Sequence, residues 1–253
     1  MKTLMFCAVF LGLAQTASAQ VQDLSIDRSP TSAGPTLHVN NFKSKDIDAL
    51  LLTVRCSEGP FEIFYDPLID YGTLQAIAPG KGVDIKMSAH TENCPASANA
   101  VLLSDGSQEG DPSSAYKIFA RRHGAYKQLT LVEHHLALVF SNKENISEVI
   151  GAIEIARTSL VSQKQTTVAE LSGSSALLGF LEYLLKQRQL PHVPRYPNQP
   201  IPSVSELALS RALTQDQAYI LCFDLRLQQW IADLRSRGAA TLPNTATSPS
   251  TSM

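Results

Sequence analysis

The hydrophobic pattern of this chain changes its period at Asp111-Pro112, and this change constrains the fold more than any other feature. Before it, short apolar runs are separated by turn residues, and Val83, Ile85 and Met87 alternate with polar residues, as in a strand with one solvent-exposed face. After it, apolar residues recur every three or four positions, which is typical of amphipathic helices. The sequence therefore predicts an α+β chain in two segregated parts, with the β structure before the helices.

The β part is predicted over 36–106, where the spacing of short strands indicates a small antiparallel β-sandwich. Its clearest strands are three largely apolar runs, Ile47 to Val54, Phe61 to Tyr65 and Ala98 to Leu103. In general architecture this run of strands resembles immunoglobulin-like or fibronectin-like modules, and the resemblance implies two packed antiparallel sheets. Residues 20–35 are expected to form an N-terminal lead-in.

The helical part is predicted over 111–237, most economically as an antiparallel α-helical bundle. Asp111 is a favoured N-cap residue before Pro112, and Gly238 ends the last predicted helix. Residues 238–253 are rich in Thr, Ser, Ala and Pro, and we expect them to be disordered. Two capping boxes mark the starts of later helices, Ser203 with Glu206 and Thr214 with Gln217.

The first nineteen residues have the pattern of a secretory signal peptide. Lys2 gives a positive start, an apolar stretch follows, and the small residues Ala17 and Ala19 suit cleavage after Ala19. The apolar stretch is shorter than the roughly 20 residues that a helix needs to cross a bilayer, and no later stretch comes closer. We therefore expect a secreted or periplasmic protein with no membrane span in the mature chain.

Export permits disulfides, and the cysteine positions favour one. Cys7 lies in the leader, so the mature chain keeps Cys56, Cys94 and Cys222. Cys56 and Cys94 stand at the polar edges of strand-like runs, and we predict a structural disulfide between them. Cys222 lies in an apolar helical stretch and is interpreted as a small buried side chain.

A proline-rich connector is predicted over 190–202, between two helices. Polyproline II has about three residues per turn, so the prolines of this segment would line one edge. Such an edge suits either a stiff connector or a peptide ligand for an aromatic groove, and export favours the connector because the best-known readers of these motifs are intracellular. The four prolines are Pro191, Pro194, Pro197 and Pro200.

The loop from Asp105 to Asp111 is the most suggestive polar string. Oxygen-bearing residues alternate in it, with a glycine at the sixth place, as in the first half of an EF-hand loop. Tyr116 stands where that loop needs its bidentate glutamate. We interpret the string as a strand-to-helix turn capped by Asp111, and a calcium-stabilised module using Asp105, Glu109 and Asp111 is an alternative.

Ser114 and Lys117 match the S-x-x-K pattern of penicillin-recognising enzymes, in the first turn of a predicted helix. One helical turn would let the lysine amine approach the serine oxygen, so a serine hydrolase with Ser114 as nucleophile and Lys117 as base is a second alternative. The partner motifs S-D-N and K-T-G are not found in the sequence.

The histidines give no zinc pattern. His134 and His135 are neighbours and would point about 100° apart on a helix, whereas a zinc helix places its ligands four residues apart on one face. His90, Glu92 and Cys94 alternate but lack a fourth ligand. We assign no catalytic, cofactor-binding or metal-binding residues.

Charge excludes one class of partner. The chain has 21 basic and 23 acidic residues, and its lysines and arginines are scattered, whereas a nucleic-acid binder needs a basic stripe. Export without an assembled catalytic set predicts a soluble, non-catalytic binding or interaction module that needs no cofactor. Its expected partner is another protein or a peptide.

Overall fold

The computed structural model describes residues 21–31, 34–70, 75–87, 91, 94–142, 145–160, 167–191 and 201–242. The predicted signal peptide, the middle of the proline-rich connector and the end of the predicted tail lie outside the described residues, as do His90 and Glu92. Within them the chain is α+β, with β structure in the N-terminal half and helices in the C-terminal half.

The described strands form two antiparallel sheets. Their bounds are β1 (Leu24–Thr31), β2 (Gly34–Asn41), β3 (Ile47–Cys56), β4 (Gly59–Tyr65), β5 (Gly82–Lys86), β6 (Ala96–Leu103) and β7 (Gln108–Gly110), and a short helix α1 (Pro67–Asp70) follows β4. The first sheet has the order β1-β2-β5, and the second has the order β4-β3-β6-β7. Strand β1 lies within the predicted lead-in and pairs with β2 along its whole length.

The described helices of the C-terminal half for which a cap is predicted begin at that cap. Their bounds are α2 (Pro112–Asn142), α3 (Ile146–Ser159), α4 (Val168–Lys186), α5 (Val204–Arg211) and α6 (Gln215–Ser236). The N-cap at Asp111 is confirmed, because its Oδ2 accepts a hydrogen bond from the backbone N–H of Ser114 at 2.9 Å. Both predicted capping boxes are confirmed, at the first turns of α5 and α6. Gly238 has a φ of 78°, which suits the end of α6.

Strand β3 is buried on both faces, which explains why its sequence does not alternate with polar residues. Leu50 and Leu52 belong to a core shared with the first sheet. Ala49 and Leu51 belong to a second core, which Ile118 of α2 enters from the other side. The second sheet is therefore the middle layer between the first sheet and α2. Helix α2 thus packs against the β part as well as belonging to the helical part.

Helices α2 and α4 pack at very close range because each has a glycine at the contact. A Cβ atom on Gly124 of α2 would collide with the carbonyl oxygen of Glu170, and one on Gly173 of α4 would collide with that of Arg121. No residue with a side chain fits either position without a shift of the backbone. This close approach fixes the position of α4 on α2.

Buried polar contacts join the two parts. The guanidinium of Arg122 on α2 donates two hydrogen bonds to Asp66, of 2.7 and 3.2 Å, and both side chains are almost fully buried. The indole Nε1 of Trp230 on α6 donates to the carbonyl oxygen of Leu68 at 2.8 Å. Because a buried charge is costly without its partner, these contacts fix α1 against the helices.

Helix α4 is, among the described helices, the one whose length and composition suit a membrane span. Half of the qualifying window is buried inside the protein, where Leu177, Leu178 and Leu181 belong to the helical core. Because the core helices of globular proteins often have the same composition, this match is weak evidence for a span.

Candidate functional site

The two cysteines predicted to form a disulfide lie next to each other. Cys56 ends β3 and Cys94 precedes β6, with their Cα atoms 4.6 Å apart and their sulfur atoms bonded. Cys222 is a free, buried thiol on α6, and its Sγ donates to the carbonyl oxygen of Pro202 at 3.4 Å. Burial raises the pKa of the Cys222 thiol, which makes it a poor nucleophile.

The segment from Asp105 to Asp111, interpreted from the sequence as one strand-to-helix turn, contains strand β7. Its carboxylates are engaged by protein donors. Lys45 donates to Asp105 at 2.5 Å and Ser107 donates to it as well, and these hydrogen bonds hold the pKa of Asp105 well below its usual range. Glu109 pairs with Lys43 at 2.6 Å, while Asp111 caps α2. Within the described residues there is no group of three or more His, Cys, Asp or Glu side chains that would hold a metal ion.

In the structure Ser114 and Lys117 bond to different partners. Ser114 is 4% exposed, and its hydroxyl donates to Oδ2 of Asp111 at 2.7 Å. The amine of Lys117 pairs instead with Glu62 on β4. The serine oxygen therefore faces a carboxylate at the helix cap, and the lysine joins α2 to the sheet.

The histidines of α2 have different surroundings. His123 Nδ1 donates to the carbonyl oxygen of Ala239 at 2.8 Å, which joins α2 to the end of α6. His134 and His135 are exposed, with ring centroids 6.5 Å apart.

A cavity of about 360 Å³, here called the junction pocket, lies where the second sheet meets α2 and the end of α6. Four of the described residues that line it are charged, and each has an ion-pair partner within the protein: Asp48 with Arg237, Asp105 with Lys45, and Arg122 with Asp66. Burial lowers the pKa of Arg237. Two of these pairs, Asp48 with Arg237 and Asp66 with Arg122, join the β part to the helical part. The charges of this pocket are therefore already engaged within the protein.

A second cavity, of about 230 Å³, lies between α2 and α3 and is here called the α2–α3 groove. Among the described residues of its lining, all except His135 and Ser159 are apolar. Leu131 on one side is 51% exposed and Ile155 on the other is 71% exposed. The described residues that line it are Leu131, Val132, His135, Val149, Ala152, Ile153, Ile155, Ala156 and Ser159.

Helical spacing explains how the α2–α3 groove forms. Leu131 and His135 are four residues apart and share one face of α2, and Ala152 and Ala156 share one face of α3. The two alanines are small and leave the space that the cavity occupies. Leu131 and Ile155 lie outside the apolar stripes that predict the core-facing sides of their helices, and this is the sequence signal that identifies them as surface residues.

Comparisons of the chain with protein-family models, with curated proteins and with solved structures found no match. The two cavities differ in what their walls offer a ligand. The charges of the junction pocket are already paired within the protein, whereas the rim of the α2–α3 groove holds large aliphatic side chains in contact with water. Covering these side chains removes apolar surface from water, which favours association.

Proposed function

We propose that this chain is an exported, non-catalytic interaction module that binds a polypeptide through the α2–α3 groove. One observation carries the proposal: an apolar cavity is bordered on both sides by the exposed aliphatic side chains of Leu131 and Ile155. Burying an aliphatic side chain of this size is worth about 1.5–3 kcal/mol, so covering both supplies a substantial part of a binding free energy.

The chemistry of the α2–α3 groove favours an amphipathic helix as its occupant. A helix presents aliphatic side chains at intervals of about one turn and satisfies its own backbone hydrogen bonds, so it can lie against apolar walls that offer few polar partners. In the part of the lining that the structure describes, the polar side chains are His135 and Ser159, and both are exposed at the rim.

The proposal includes export and a fold type for each part. Export rests on the signal-peptide pattern of residues 1–19, and the pairing of Cys56 with Cys94 suits an oxidising compartment. An immunoglobulin- or fibronectin-like sandwich for the β part is supported by two antiparallel sheets that share a core. A helical bundle for the second part is supported by the packing of α2 against α3, α4 and α6.

Site-specific photocrosslinking tests this function. A photoreactive amino acid replaces Ile155 in the full chain expressed in its native cells, and a second variant carries it at Leu209, an aliphatic residue on α5 that is 86% exposed. We expect light-dependent adducts with a polypeptide at position 155 and none at position 209. Equal adducts at both positions, or no polypeptide adduct at position 155, would contradict the proposal.

A further inference from the structure

The two ends of the α2–α3 groove carry opposite charges. Lys127 precedes Leu131 by one turn on α2, and Glu148 precedes Ala152 by one turn on α3, and both charged residues are exposed. The short connection between Asn142 and Ile146 makes α2 and α3 an antiparallel hairpin. The lysine therefore lies at one end of the groove and the glutamate at the other.

Along the length of the hairpin, Ile155 lies midway between these two charged residues. At about 1.5 Å per residue, Lys127 and Glu148 are separated by about 20 Å along the hairpin. The midpoint lies about 8.5 residues from the connection, and Ile155 lies about 9 residues from it. The most exposed aliphatic side chain of the groove is thus close to its centre.

We infer that the occupant of the α2–α3 groove is the same groove of a second copy of this chain; this inference rests on the proposed function. A two-fold rotation about an axis through the midpoint places Lys127 of each copy opposite Glu148 of the other. Because Ile155 lies close to the axis, the same rotation brings Ile155 of each copy against Ile155 of the other. The surface thus matches itself in charge and brings its two apolar centres together, as an isologous dimer interface requires.

The two kinds of contact have different roles in this dimer. The burial of Leu131 and Ile155 provides the attraction, because these side chains leave water. The two Lys127–Glu148 pairs set the antiparallel orientation, since a parallel arrangement would place like charges together. Exposed pairs are screened by salt, so the dimer weakens moderately as ionic strength increases.

Sedimentation equilibrium of charge-swapped variants tests the inference. The protein is the chain from residue 20 onward, the product expected after cleavage, with its disulfide intact. We expect the wild type to dimerise and Lys127→Glu and Glu148→Lys each to raise the dimer Kd by about tenfold, because each variant faces two like-charged pairs. The double variant should restore the Kd to within about threefold of the wild type, since it re-forms both pairs with reversed polarity.

Control variants separate this effect from a general change of charge or hydrophobicity. Lys81→Glu changes an exposed lysine of the β part, and Leu209→Asp changes an exposed aliphatic residue of α5; neither should alter the Kd. Ile155→Asp should give a monomer whose circular dichroism matches that of the wild type. A wild type that remains monomeric at all concentrations, or a double variant no better than the single variants, would overturn the inference.

The outcomes distinguish this inference from the function on which it rests. Adducts between two copies of the chain at position 155, together with a dimer in solution, support both. An adduct with a different polypeptide and a monomeric chain leave the interaction module intact and reject the self-association. The absence of any polypeptide adduct rejects both.

Discussion

Asp224 on α6 is a buried carboxyl whose contribution to stability depends on pH. It is 9% exposed, and its Oδ1 is buried without a hydrogen-bond partner. The amide of Gln228 donates to the other oxygen of Asp224 at 3.0 Å and to Glu133 of α2 at 3.3 Å. Burial, with a smaller contribution from the charge of Glu133, raises the pKa of Asp224 to about 6.

The raised pKa fixes the sign of the pH dependence. The ordinary pKa of this carboxyl is 3.8, so between about pH 4 and pH 6 the folded chain binds more protons than the unfolded chain. The free energy of unfolding therefore falls as pH rises through this window, and the loss persists above it. We expect Asp224→Asn to raise the free energy of unfolding by about 1–3 kcal/mol at pH 7 and by much less at pH 4.

Urea unfolding at both pH values measures this difference. Glu133→Gln is the companion variant, because it removes only the neighbouring charge, and its gain at pH 7 should be smaller than that of Asp224→Asn. An equal gain for Asp224→Asn at pH 4 and pH 7 would show that the carboxyl is not the titrating group.

At the scale of elements, the packing of α4 on α2 depends on a glycine. Gly173→Ala places a Cβ against the carbonyl oxygen of Arg121, and relieving this collision requires the two helices to separate. We expect a loss of about 1–3 kcal/mol in the free energy of unfolding, although alanine favours the helix by itself. The matched control is Gly179→Ala on the same helix, where the added Cβ meets open space. It should stabilise the protein by about 0.5–1 kcal/mol.

Thermal and urea unfolding of the two alanine variants compare these effects directly. Because both substitutions make the same chemical change in α4, their difference isolates the contact with α2. Similar stabilisation by both would mean that α4 does not approach α2 as closely as the structure indicates.

The observed helix starts agree with the sequence where a capping box predicted them. The capping boxes at Ser203 and Thr214 predicted the starts of α5 and α6, because a cap needs only residues within one turn of each other. Helix α4 begins at Val168, a start that was not predicted from the sequence. Thr167 and Glu170 form a third capping box there, a signal that the sequence contained.

At the scale of the whole molecule, α2 links the two cores. Ile118 is fully buried between α2 and the second sheet, while farther along α2 Leu129 belongs to the helical core. We expect Ile118→Ala to lower the free energy of unfolding by about 2–4 kcal/mol, since it leaves a cavity between the sheet and the helix. Hydrogen exchange should then speed up together in β3 and in α6, because one cooperative unit contains both.

Hydrogen exchange measured by mass spectrometry on peptides from β3 and α6 provides the readout. Faster exchange confined to β3 would mean that the two parts unfold independently, as expected for two segregated domains joined only by a linker.

The sequence by itself determined the order of β structure and helices, the helix caps and the pairing of Cys56 with Cys94. These depend on residues that are near in sequence or on the chemistry of one residue type. Tertiary structure alone decided that α2 covers the second sheet, that Ser114 and Lys117 point to different partners, and that Leu131 and Ile155 border one groove. Which side chains meet across elements depends on the angle and distance between those elements, and these are set by packing over the whole chain.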